Sequence, residues 1–123
     1  MDADEVRVLV VDDVADAAEA LGMGLELDGY KVRIAHDGRQ ALAVVEEFRP
    51  HCVLLDVHMP GIDGSELSQR LRTRYGDDLV LVAVTGWSED DERVSKTFAC
   101  VDHYLKKPVD PAELRKVLPP LRV

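Results

Sequence analysis

Asp12, Asp13, Asp56, Thr85 and Lys107 each stand at or just past the end of a short apolar run: "VLVVDD" (8–13), "VLLDVHMPGIDG" (53–64), "VAVTG" (82–86) and "YLKKPVD" (104–110). Brought to one place, the three carboxylates would repel one another and require a cation. A hard ion with oxygen ligands, Mg²⁺ above all, suits them, because it keeps several waters and takes one or two carboxylates plus phosphate oxygens. A lysine and a threonine hydroxyl beside such an ion are natural partners for phosphoryl oxygens. An aspartate there is a plausible nucleophile for making an aspartyl phosphate. Phosphoryl transfer is mostly positioning and charge neutralisation, so this small set suffices for it.

Each residue also has a plain structural reading. Asp13 with Asp16 three residues on resembles a helix N-cap pattern. Thr85 before Gly86 suits a turn. Lys107 beside Pro108 suits a solvated loop. Asp56 ends an apolar run four residues before Pro60 and Gly61, and so either starts a turn or is held there for chemistry. All four plain readings would have to hold together, in order, at corresponding places in the chain.

The elements that must position these residues alternate regularly. "VRVLVV" (6–11), "KVRIA" (31–35), "CVLL" (52–55), "LVLVAV" (79–84) and "DHYLK" (102–106) read as strands, and several are near-continuous Val/Leu, as for parallel strands covered on both faces. Helical spacing falls between them: Val14, Ala18, Leu21 and Leu25; Ala41, Val45 and Phe48; Leu67 and Leu71; and Leu114, Val117, Leu118 and Leu121. Gly29, Arg49–Pro50 and Gly76 supply the stops. The segment 88–98 is the weak member, with Val94 and Phe98 alone as its apolar stripe. Five βα units predict a doubly wound parallel sheet with right-handed crossovers. Ligands of such sheets bind outside the carboxyl ends of the strands, which is where four of the five strands carry Asp12 and Asp13, Asp56, Thr85, and Lys106 with Lys107. The second strand ends in Ala35 and offers nothing reactive.

Composition agrees with one globular domain over residues 1–123: 46% hydrophobic and 32% charged residues. The net charge of −9 disfavours nucleic acid and anionic lipid, which need a basic footprint. No apolar stretch approaches a membrane span and the N-terminus is acidic rather than signal-like, so a cytoplasmic location is expected. Cys52 and Cys100 form neither a disulfide framework nor a zinc spacing, and Cys52 reads as a small core residue.

With the four motifs in this order and spacing, nearly the whole chain resembles the receiver domain of bacterial two-component response regulators. That resemblance implies the flavodoxin-like (βα)5 three-layer fold with sheet order 2-1-3-4-5. It implies Asp56 as the phosphorylated residue, with Asp13 as a direct Mg²⁺ ligand and Asp12 acting through water. The backbone carbonyl of His58 would complete the protein ligands to the metal. Thr85 and Lys107 would contact the phosphoryl group, Tyr104 would be the aromatic that reports phosphorylation, and the Lys107–Pro108 bond would be cis. His58 and Trp87 occupy positions that tune phosphate lifetime in the family. Cys100 stands where the family has Gly past a helix end, a place where Cys fits poorly.

The resemblance further implies a donor, either a sensor histidine kinase or a phosphotransfer protein. It also implies a downstream protein partner on the 88–118 face, read through a population shift. The chain would be a monomer or a phosphorylation-dependent dimer, and not an enzyme beyond its own phosphorylation and dephosphorylation. A phosphohydrolase of the haloacid-dehalogenase type is disfavoured by His58 at the place of its second Asp. A flavin or nucleotide binder is disfavoured because "VVDDVADA" is no Gly-rich loop. A receiver-like interaction module without phosphate control is disfavoured by the complete residue set. Stand-alone protein and hybrid-kinase receiver both fit, with the wording "VDDVADAAEAL" and "HYLKKPVDPAEL" leaning toward the latter. A DNA-binding regulator is not expected without a second domain.

Overall fold

Five short strands, three of them near-continuous apolar runs, pair side by side as a parallel sheet in the order 2-1-3-4-5 counted along the chain. The structure is a computed structural model that describes residues 5–86 and 99–120. Its elements are β1 (Arg7–Val11), α1 (Ala15–Asp28), β2 (Lys31–Ala35), α2 (Gly38–Phe48), β3 (Cys52–Asp56), α3 (Gly64–Tyr75), a 3₁₀ turn (Gly76–Asp78), β4 (Val80–Thr85), β5 (His103–Lys106) and α4 (Pro111–Val117). The expected helix at 88–98, with Val94 and Phe98, lies outside the described residues, as do Trp87 and Leu121.

Because side chains alternate across a strand, the central strands feed two cores. Leu9, Val11, Val53, Leu55, Leu81 and Ala83 point to one face and pack with Ala41, Val45, Leu67 and Leu71 of α2 and α3. Val8, Val10, Cys52, Leu54, Val82 and Val84 point to the other and pack with Ala18, Leu25 and Leu114. Covering both faces explains why β3 is buried along its whole length, and why its sequence does not alternate between polar and apolar. Val14 departs from the expected stripe. It sits at the N-cap position of α1 rather than within the helix, and its side chain is 53% exposed.

Helix ends follow local chemistry. The Asp37 and Asp63 side chains accept from Gln40 N–H and Glu66 N–H, capping α2 and α3. Gly29 closes α1 in the left-handed region at φ 109°. Arg49 closes α2 at φ 52°, where glycine would be cheaper, and its carbonyl is held by the Arg7 guanidinium at 2.7 and 2.9 Å. Cys100 is not among the residues with positive φ. It stands in a turn whose carbonyl accepts the Arg72 Nε–H at 2.9 Å, so no left-handed strain is stored there.

Gly64 ties this scaffold to the acidic edge. A Cβ there would lie 2.5 Å from both the Asp56 carbonyl oxygen and the Val57 Cα, so α3 starts in direct contact with the end of β3. Gly64→Ala would have to push backbone against backbone. We expect a loss of about 1–3 kcal/mol, read as a lower urea midpoint at unchanged slope.

Candidate functional site

The carboxyl edge of the sheet gathers the predicted residues. Asp12 follows β1 and Asp56 ends β3, its partner in the sheet, and each is only 8% exposed. Asp13, next along the turn, is exposed. One oxygen from each of the three carboxylates lies within 4.8 Å of the others, a donor set that could hold a metal ion. Lys107 follows β5 and its Nζ lies 3.3 Å from both Asp12 Oδ2 and Asp56 Oδ2, bridging the two buried acids. The Lys107–Pro108 bond is cis, and Lys107 N–H donates to the Thr85 carbonyl at 2.8 Å. Lys106 is exposed.

The backbone pre-orients both buried acids. Val14 N–H donates to Asp12 Oδ1 at 2.9 Å, and His58 N–H donates to Asp56 Oδ1 at 3.2 Å. Each carboxylate therefore turns one oxygen to its own loop and the other to Lys107. This geometry also removes the capping reading of Asp13: Val14 takes the N-cap position of α1 without a side-chain cap. Thr85 ends β4 fully buried, directly across the ladder from Lys106. Tyr104 lies half-buried against the α2–α3 core, paired in register with Ala83.

The second strand offers more than expected from Ala35. His36, the next residue, brings its ring Nδ1 to 3.4 Å from the Asp12 carbonyl oxygen, and Asp12 N–H donates to the Ala35 carbonyl. The signal was its place, one residue past a strand end on the reactive edge. A lone exposed histidine in a polar turn has no spacing pattern to mark it.

The electrostatics are unbalanced. Burial pushes the Asp56 carboxyl above its ordinary 3.8; Lys107 pulls it down, Asp12 pushes it up, and the net shift is upward. Burial alone would lower the Lys107 ammonium, but Asp56 and Asp12 outweigh it and raise it above 10.5. One cation thus gains from two acids, while each acid shares that cation with the other.

A parallel sheet in the order 2-1-3-4-5 with three acids and a lysine at its carboxyl edge is the arrangement the resemblance to receiver domains implies. The chain matches the family described as the response regulator receiver domain over residues 8–119, and it belongs to that family. Response regulator MprA of Mycolicibacterium vanbaalenii is 44% identical over 109 residues, covering 89% of this chain and 47% of that protein. The chain spans about half the length of the curated relatives it matches. Among solved structures, a CheY-like receiver domain protein from Methanospirillum hungatei superimposes with a TM-score of 0.84 at 29% identity, covering 91% of this chain and 89% of that one. A receiver protein from Pseudomonas putida does so with a TM-score of 0.83 at 28% identity, covering 92% and 94%. Among the described residues no helix is long and apolar enough to cross a membrane.

The raised Asp56 carboxyl fixes a sign. Stability from such a group is fully present below its unfolded value and is lost as pH rises through the raised folded value, so at pH 7 the ionised carboxylate is a cost. Asp56→Asn is therefore expected to raise the melting temperature of the metal-free protein at pH 7, with the gain shrinking toward pH 3. Thermal unfolding in a chelator across that range checks the sign, and an unchanged or lower melting temperature at pH 7 would contradict it.

Proposed function

We propose that this receiver domain accepts a phosphoryl group on Asp56 in a Mg²⁺-dependent reaction and uses it to control a protein partner. The observation that carries the reading is the meeting of Asp12, Asp13 and Asp56 within 4.8 Å, with Lys107 bridging two of them. Residues so far apart in sequence converge where the fold places ligands, and their combined charge is negative enough to favour a divalent cation.

The donor set fits Mg²⁺: all three side chains offer hard oxygen ligands, and the exposed Asp13 leaves one side open to water. Asp12, Asp13, Asp56 and the His58 backbone carbonyl would hold the ion. When bound, it supplies charge neutralisation to the carboxylates and to the incoming phosphoryl oxygens. The Asp56 carboxylate attacks phosphorus and forms a new O–P bond. The bond to the leaving group breaks and its electron pair departs with that group: the imidazole of a phosphohistidine on a kinase or phosphotransfer protein, or acetate from acetyl phosphate. Lys107, already 3.3 Å from the attacking carboxylate, is in place to pair with a phosphoryl oxygen. The Thr85 hydroxyl at the end of β4 pairs with another. The chain catalyses its own modification and turns over no separate substrate.

The signal follows from the same contacts. Drawing Thr85 and Lys107 to a phosphoryl group biases the carboxyl ends of β4 and β5, and Tyr104 lies on β5, packed against the α2–α3 core. The face spanning 88–118 would then be read by a downstream partner in the cytoplasm, without direct contact to nucleic acid or membrane. His58, and Trp87 outside the described residues, are the candidates for tuning how long the phosphate survives.

Incubation with Mg²⁺ and acetyl phosphate, followed by intact mass, tests the reading. One added phosphoryl group is expected on the wild type and none on Asp56→Asn or in chelator. Thr85→Ala should still be phosphorylated but should lose phosphorylation-dependent partner binding. No addition to the wild type from either acetyl phosphate or a phosphohistidine donor, with Mg²⁺ bound, would overturn the reading in favour of an interaction module without phosphate control.

A further inference from the structure

The bridging Lys107 directly follows β5, the shortest strand of the sheet. That strand has four residues, lies at a sheet edge, and buries only Leu105, itself 8% exposed. Asp12 and Asp56 stand on the interior neighbours β1 and β3, which are buried almost throughout. Something besides apolar burial must fix where β5 begins, since its register against β4 decides where Lys107 arrives.

The residue at that start is Asp102. Its N–H donates to the Leu81 carbonyl at 2.8 Å, and its Oδ2 accepts Leu81 N–H at 2.8 Å, so it pairs with one β4 residue through both backbone and side chain. The same oxygen accepts Arg72 Nη2–H at 2.7 Å. From the last turn of α3, Arg72 also donates through Nε to the Cys100 carbonyl at 2.9 Å, and through Nη1 to the carbonyls of Gly76 at 2.6 Å and Leu79 at 3.0 Å. Four acceptors from two chain segments, 76–79 and 100–102, converge on one planar fork, a geometry lysine cannot reproduce. Burial pushes the Asp102 carboxyl up, but Leu81 N–H and Arg72 together hold it below the ordinary carboxylate range.

We propose that Arg72 is a positioning residue for phosphoryl acceptance: by clamping Cys100 and Asp102 to the start of β4, it sets the register of β5 and so delivers Lys107 to Asp12 and Asp56. The inference rests on the phosphoacceptor reading of Asp56. It separates two functions of the site. The metal ligands come from β1, β3 and their loops, so loosening the clamp removes none of them, and drawing Lys107 away from Asp12 and Asp56 does not weaken their hold on a cation. The lysine follows β5, so the rate depends on the clamp. A displacement near 1 Å at the reacting group is enough to cost a large factor in rate.

The test compares full-length wild type with Arg72→Met and Arg72→Lys. Mg²⁺ binding is measured by calorimetry, phosphorylation by initial rate with acetyl phosphate, and strand security by amide hydrogen exchange. In Arg72→Met, Mg²⁺ affinity should not fall, while the rate falls about tenfold or more. Exchange should quicken at Leu105 and Lys107 but not at Leu9 or Leu54. Arg72→Lys, which keeps the charge beside Asp102 without the fork, should recover only part of the rate, and it supplies the comparison if Arg72→Met does not fold. An unchanged rate would overturn the proposal. So would joint loss of rate and Mg²⁺ affinity with faster exchange across the sheet, which marks mere destabilisation. A wild type that accepts no phosphoryl group would defeat the phosphoacceptor reading instead. The exchange data then decide alone, and unchanged protection at Leu105 and Lys107 overturns the clamp.

Discussion

Two carboxylates, each less than a tenth exposed, share one ammonium. Asp12 and Asp56 are held from adjacent strands with Lys107 between them, and Asp13 adds a third negative charge from the rim. In water such a cluster would spread apart. Here it cannot, because β1 and β3 are paired along their length and buried on both sides. The close packing of the sheet interior, rather than any attraction among the acids, keeps the charges together. The folded chain thus carries an electrostatic cost at one edge that the apolar layers must offset, and that cost is the site's affinity for a cation seen from the other side.

The same arrangement explains why the edge can respond. β1 and β3 sit in the middle of the sheet, whereas β5 borders it and contributes one buried residue. Fixed acids on interior strands face a lysine delivered by an edge strand. On the proposed reading, a phosphoryl group on Asp56 would reposition the lysine side, which is the cheaper one to move, and leave the carboxylates in place. A signal passed outward to β5 would follow from this unequal burial.

Much of this was legible in the sequence because it is periodic or local. Near-continuous Val/Leu runs mark strands covered on both faces, and the placement of Asp12, Asp56, Thr85 and Lys107 at run ends marks one reactive edge. What was not legible depends on contacts between distant residues with no spacing rule. Asp13 followed by Asp16 looks like a cap, yet Asp12 takes the Val14 N–H and the helix begins uncapped by a side chain. His36 was hidden because a single histidine after Ala35 carries no pattern. Arg72 reads as one more exposed base on α3, and its acceptors Cys100 and Asp102 lie about thirty residues on. A guanidinium that serves backbone carbonyls leaves no trace in composition.

Cys100 shows how such a contact changes what a substitution means. Glycine past a helix end is valued for its left-handed backbone, so a cysteine there suggests strain. The observed turn does not enter that region. Its carbonyl is instead taken by Arg72 of α3, alongside Asp102, so a side chain does the work that backbone freedom would otherwise do. The chain is thereby committed to an electrostatic anchor at the start of β5 in place of a conformational one. An anchor made of charge-assisted hydrogen bonds at a partly exposed site, where the Asp102 side chain is 42% accessible, loosens with salt and with loss of the carboxylate charge, whereas a glycine turn does not. The lysine side of the site therefore inherits a sensitivity to ionic conditions that the apolar packing of β1 and β3 lacks, even though both end at the same two carboxylates.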